Sequence, residues 1–86
     1  MKNKTVNTIV KFYDEKLKIG AIAACYDDGH FKLTYLEDKE CIEVVLNYLK
    51  ISFPNLILIE VENVEMFKKV HRDVVNKILD DMFVNS

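Results

Sequence analysis

Four consecutive large aliphatic residues, Leu56-Ile57-Leu58-Ile59, lie between the chain's single proline, Pro54, and the acid-rich end of the same stretch at Glu60, Glu62 and Asn63. A run this short and this continuously apolar, bounded by a helix breaker and by acids, does not fit an amphipathic helix. It fits a strand buried on both faces. The stretch Asn55–Asn63 is therefore expected to be a sheet-interior strand, and the remaining chain has to supply its neighbours. Length bounds the possibilities: 86 residues make one domain, residues 1–86, which buries only about 60–65% of its unfolded surface. Half of the residues are hydrophobic and only three are glycine or proline, so the chain has a core and is neither a linker nor a disordered tail.

Met1–Lys4 are expected to fray. From Thr5 to Tyr13 the chain alternates, with Val6, Val10 and Phe12 on one face and Asn7, Ile9, Lys11 and Tyr13 on the other, and its β-branched residues favour a first strand. Asp14-Glu15-Lys16 permits a reversal into a second strand, Lys18–Tyr26. Its centre, Gly20-Ala21-Ile22-Ala23-Ala24, is small-sided and lets another element lie close. The Asp-Gly pair in Asp27-Asp28-Gly29-His30 signals a hairpin, so His30–Leu36 is a third strand antiparallel to the second.

A helix follows with Asp38 as N-cap and Glu40 in its first turn, where the helix dipole favours negative charge. Ile42, Val45, Leu46 and Leu49 make its inward face, widened by Cys41, Val44 and Tyr48. Ser52-Phe53-Pro54 ends it, because the residue before a proline is pushed out of helical geometry. After the organising strand, Asn63 caps a second helix, Val64–Phe83, with a stripe of Phe67, Val70, Val74, Ile78 and Met82. Val75, Leu79 and Phe83 add apolar surface beyond what one contact with a small sheet needs.

The order β-β-β-α-β-α defines an α+β fold: a mixed four-stranded sheet with two helices. Hairpins join the first three strands, and a right-handed helical crossover brings the fourth parallel to the first, for a strand order of 3-2-1-4. Strands one and four then end on one side of the sheet, where ligands gather in folds with adjoining parallel strands.

This order resembles the first part of the ribonuclease H fold, and Phe12-Tyr13-Asp14, Gly20-Ala21-Ile22 and Glu62-Asn63-Val64 are similar to the local text of that family. The resemblance implies a ribonuclease H-like sheet and a site in which three acids hold Mg²⁺ for phosphodiester cleavage. In the family they are an aspartate ending strand one, a glutamate early in the first helix and an aspartate ending strand four. Asp14 matches the first. Glu62 stands where the family has aspartate, and Glu40 is the acid nearest the helical position, which the register gives to Cys41. The family's fifth strand and fourth acid have no counterpart.

Hard, octahedral Mg²⁺ takes oxygen ligands, and two-metal cleavage needs carboxylates bridging ions about 4 Å apart, so Asp14, Glu40 and Glu62 are the candidate metal ligands. The same acids at strand ends and in a first helical turn also serve as caps and solubilising charge. His30 and His71 have no Ser or Cys nucleophile beside them by motif, and Cys25, His30, Cys41 and His71 lack CxxC or HxxxH spacing for zinc. Both cysteines are expected to be reduced core thiols. Gly20 and Gly29 stand alone, so no phosphate-cradling loop is present.

A net charge of −2 is too small to argue for a nucleic-acid binder or for an acidic mimic of one, and Asp73, Asp80 and Asp81 interrupt the Lys68-Lys69-Arg72 group, so a nucleic-acid partner is not expected. No membrane span or leader is expected, which makes the cytoplasm the default. The expected function is that of a small non-catalytic protein-binding module, a regulator or inhibitor acting on a protein partner or as a homodimer. Leu56, Leu58, Val75, Leu79 and Phe83 are its candidate contact residues, and it needs no cofactor. Richness in Lys, Asn and Ile suits an AT-rich bacterial, phage or mobile-element genome. The competing expectation is a Mg²⁺-dependent nuclease using Asp14, Glu40 and Glu62.

Overall fold

β1 (Val6–Asp14), β2 (Ile19–Tyr26) and β3 (Phe31–Leu36) form an antiparallel meander. Helix α1 (Lys39–Ser52) crosses over, β4 (Ile57–Val61) pairs parallel with β1, and α2 (Val64–Val84) follows. The sheet order is β3-β2-β1-β4, as expected. The computed structural model describes residues 5–84, so the fraying expected of Met1–Lys4 lies outside it.

Local chemistry fixes each reversal. Asp14 ends β1, and its carboxylate accepts the backbone N–H groups of Lys16 (2.9 Å) and Leu17 (3.1 Å). Lys18 sits in the left-handed region at φ 52°, so the second strand begins one residue later than expected. In the next hairpin, Gly29 N–H donates to Tyr26 O (3.0 Å) and Tyr26 N–H donates to His30 O (2.8 Å), leaving a three-residue loop closed by Gly29 at φ 87°. Only glycine takes that conformation without steric penalty.

Both helix caps fall on the expected residues. Asp38 accepts from Glu40 N–H (2.9 Å) and Asn63 from Met66 N–H (2.9 Å). Each stabilises its helix by about 1 kcal/mol.

The core has two layers, one on each face of the sheet. Ile42 and Leu46 of α1 pack on Val6, Ile9, Ile22 and Ala24; Phe67 of α2 packs on Val10, Phe12, Ala21, Ala23 and Val61, with its ring 5.0 Å from that of Phe12. Each fully buried aliphatic side chain here contributes about 1.5–3 kcal/mol. Val6 was expected beside Val10 and Phe12, yet it lies in the opposite layer. A β-bulge between Val6 and Thr8 adds a residue to β1 and reverses the facing of everything before it.

Two further expectations are corrected. Cys41, Val44 and Tyr48 do not widen the buried face of α1; all three are exposed, because one helix on one sheet covers a single stripe, which Ile42 and Leu46 occupy with Val45 and Leu49 partly buried beside them. The Leu56–Ile59 run is not sheet-interior. β4 pairs with β1 alone and forms the edge, leaving Ile57 57% and Leu58 37% exposed. α1 crosses β2 and β3 while α2 lies mainly along β1, so neither helix fully covers β4.

Candidate functional site

The register Thr8↔Ile57 to Phe12↔Val61 uses one edge of β4 and leaves the other with unpaired backbone groups. Alternation places Ile57, Ile59 and Val61 toward α2, and Leu58 and Glu60 toward α1. Beside the edge, Ile57 and Ile59 join Val70, Val74 and Ile78 of α2 in an apolar groove of about 500 Å³, rimmed by Asp73, Lys77 and Asp81. A chain laid along this groove would meet both a row of hydrogen-bonding groups and apolar contacts.

The other candidate contact residues are dispersed. Leu56 is half-buried against the α1 layer, and Leu79 lies against the Gly29 turn. Val75 helps line a separate hollow of about 330 Å³ with Phe31, Lys68, His71 and Arg72, while Phe83 is exposed far along α2. Of the five residues singled out by sequence, Leu58 belongs to the β4 edge, with Leu56 just before it. Val70, Val74 and Ile78 were read only as core stripe. The signal that reveals their second role is the strand order, since a helix directly following an edge strand packs on one face and leaves a step beside the edge.

The acids do not converge. Asp14 uses Oδ1 to close the β1–β2 turn. Glu62 lines a polar cleft of about 500 Å³ with Lys11, Glu15, Lys39, Glu43 and Glu60, whereas Glu40 lines a neighbouring hollow with Tyr13, Lys18, Glu37 and Asp38. Among the described residues no group of three or more His, Cys, Asp or Glu side chains is placed to hold a metal ion. The cleft is instead organised by Lys11, whose side chain is 13% exposed and reaches Glu60 at 3.0 Å and Glu43 at 3.5 Å. Sequence reasoning missed it; a lysine in the middle of a central strand is the clue.

His30 holds Asp28 through Nδ1 at 2.9 Å in the exposed β2–β3 hairpin. His71 packs edge-on to Phe31, with centroids 4.4 Å apart, and lies near the Phe67 ring, and its buried Nε2 has no hydrogen-bond partner. Burial lowers its pKa from the ordinary imidazole value by disfavouring the charged ring. Burial likewise pushes the Cys25 thiol up to about 11, so it stays protonated and inert, as expected of a core cysteine. Cys41, by contrast, is exposed.

Fold and site together define a small α+β domain whose prominent accessible feature is an uncovered apolar strand edge. No helix among the described residues is long and apolar enough to cross a membrane. Comparison with known proteins finds no matching family model, no matching curated protein and no matching solved structure.

Proposed function

We propose that this protein is a non-catalytic binding module that captures a segment of another protein along the outer edge of β4, acting as a regulator or inhibitor. The supporting observation is the open edge itself, with Ile57 and Leu58 exposed and a continuous apolar groove alongside. An extended peptide adding as a fifth strand would satisfy the unpaired backbone groups and place alternate side chains in the groove, which is how strand addition obtains affinity and specificity together. The likeness to the ribonuclease H fold belongs to this proposal as scaffold only. The order β3-β2-β1-β4 supports it.

The test is a pull-down from the native host with wild type and with Ile57→Lys, which charges the edge at a position 57% exposed. Recovery of a defined partner by wild type and its loss from the variant is the expected result. Equal recovery by both, or none by either, would overturn the reading.

A further inference from the structure

Between β3 and α2 lies a hollow of about 330 Å³, lined by Phe31 of the strand and by Lys68, His71, Arg72, Val75 and Asn76 of the helix. The helical residues recur three and four apart, so they share one face and look onto the same space. His71 meets the Phe31 ring in a T-shaped contact, with centroids 4.4 Å apart, and so fixes that ring against the helix. Phe31 is still 48% exposed, which leaves part of its ring open to a ligand. The hollow therefore has one flat apolar wall and one charged wall.

The charged wall is not satisfied by the chain itself. Lys68 and Arg72 are exposed and one helical turn apart, where like charges repel. No acid lines the hollow, and among the described residues neither cation forms an ion pair. Acids interrupt this basic group along the sequence, but they fall elsewhere in space: Asp73 and Asp81 rim the groove beside β4, on the other side of the helix. Two cations held together without a counter-charge match a dianion, and one bound between them turns their repulsion into attraction. A phosphomonoester carries close to two negative charges at neutral pH. The arginine fork can take two of its oxygens at once, and Asn76 brings an amide donor one turn further on.

We infer that this hollow binds a small phosphomonoester whose other end is a planar ring, with the phosphate held by Lys68 and Arg72 and the ring laid on Phe31. A carboxylate on the same ring leaves one cation unmatched, and inorganic phosphate leaves Phe31 unused, so both bind more weakly. The volume is at the small end for ligand sites, which suits one such molecule. A nucleoside monophosphate and an aryl phosphate share this chemistry. The site lies apart from the β4 edge and does not depend on the partner-binding reading.

The test is titration of the whole chain with AMP, phenyl phosphate, benzoate and inorganic phosphate, followed by amide chemical shifts in ¹H–¹⁵N spectra. AMP or phenyl phosphate should bind at least tenfold more tightly than benzoate or inorganic phosphate, with shifts concentrated at Phe31, Lys68 and Arg72; preference between the two identifies the source of the ring. Lys68→Gln/Arg72→Gln should weaken binding at least tenfold, whereas Lys50→Gln, which removes an exposed cation from α1, should leave it unchanged. Phe31→Leu keeps an apolar residue against His71 and should remove the advantage of the ring-bearing ligands over inorganic phosphate. Because Lys68 and Arg72 are exposed, circular dichroism of their double variant should match wild type. Absence of binding by either ring phosphate at millimolar concentration, equal affinity for inorganic phosphate, or binding that survives Lys68→Gln/Arg72→Gln would each overturn the proposal.

Discussion

Gly20 is where the small-sided β2 strand is put to use, and Gly20→Ala tests it. A Cβ added there would meet Ile42 Cδ1 at 2.6 Å, Phe12 O at 2.8 Å and Tyr13 Cδ1 at 2.8 Å. All three distances are below ordinary contact, but they yield differently. Ile42 Cδ1 is the end of a flexible side chain and can rotate, whereas Phe12 O belongs to the neighbouring backbone of the β1–β2 ladder and cannot move without disturbing it. Overpacking of this kind costs about 1–3 kcal/mol. Alanine recovers about 0.5–1 kcal/mol by restricting the unfolded chain relative to glycine. The net expectation is a loss of about 1–2 kcal/mol, or roughly 5–12 °C in Tm for a domain of this size.

Thermal and urea unfolding of Gly20→Ala, Ile42→Val and the double variant separate the contributions. Ile42→Val alone should cost about 0.5–1.5 kcal/mol through lost packing. If Ile42 closes over Gly20, removing its Cδ1 makes room for the new methyl, and the double variant should be less destabilised than the sum of the singles by about 0.5–1 kcal/mol. A Gly20→Ala protein as stable as wild type or more so would refute the close approach of α1 and β1 at this position.

Other perturbations test other parts of the structure. For His71, whose pKa is lowered in the fold, the unfolded chain takes up a proton first as pH falls below the ordinary value of about 6.5. Stability should therefore drop from pH 7 to pH 5, with a smaller drop in His71→Leu, measured by urea unfolding at both pH values. Asp14→Ala removes the acceptor for two turn N–H groups and should lower stability by about 1 kcal/mol in the same assay. Mg²⁺ titration of wild type should leave Tm unchanged; a rise that Asp14→Ala, Glu40→Gln or Glu62→Gln abolished would establish the acid site instead. Asn63→Ala should cost about 1 kcal/mol through loss of the α2 cap, visible as a lower urea midpoint at constant slope.

Strand order, element order and both caps were legible because each rests on local chemistry: Asp-Gly for the hairpin, Asp38 and Asn63 for the helix starts, Pro54 for the helix stop. Facing was less so. Val6 lies in the wrong layer for a simple alternation because a bulge leaves no mark in the residue types around it. The width of an apolar stripe misled in the same way. On α1, seven apolar or near-apolar positions suggest a broad buried face, but how much of a helix is covered depends on what lies over it, and here one sheet face covers Ile42 and Leu46 fully and Val45 and Leu49 in part. The acids show the limit for sites. Composition and order bring Asp14 and Glu62 to the same end of the sheet, yet whether a carboxylate is available depends on its hydrogen bonds, and Asp14 Oδ1 is held by its own turn.

The open edge of β4 gains weight from what the chain does two residues away. Glu60, on the same strand, meets the largely buried Lys11, which reaches across from β1 and is met again by Glu43 of α1. That uncovered quarter of the sheet is thus closed with charge that water tolerates. Leu58 lies on the same face of the same strand and is left apolar and accessible, and so is Ile57 on the other face. Soluble proteins normally blunt an edge with lysine, proline, a bulge or an inward charge. β4 has none of these over Ile57–Ile59, although a single lysine there would disturb little packing. Leu58→Lys should accordingly cost only about 1 kcal/mol, because Leu58 is already 37% exposed and the lysine stem can cover part of the same surface. It should also abolish partner capture. Unfolding that is strongly destabilised by Leu58→Lys would mean that the edge is needed by the fold itself, and that its apolar character says nothing about a partner.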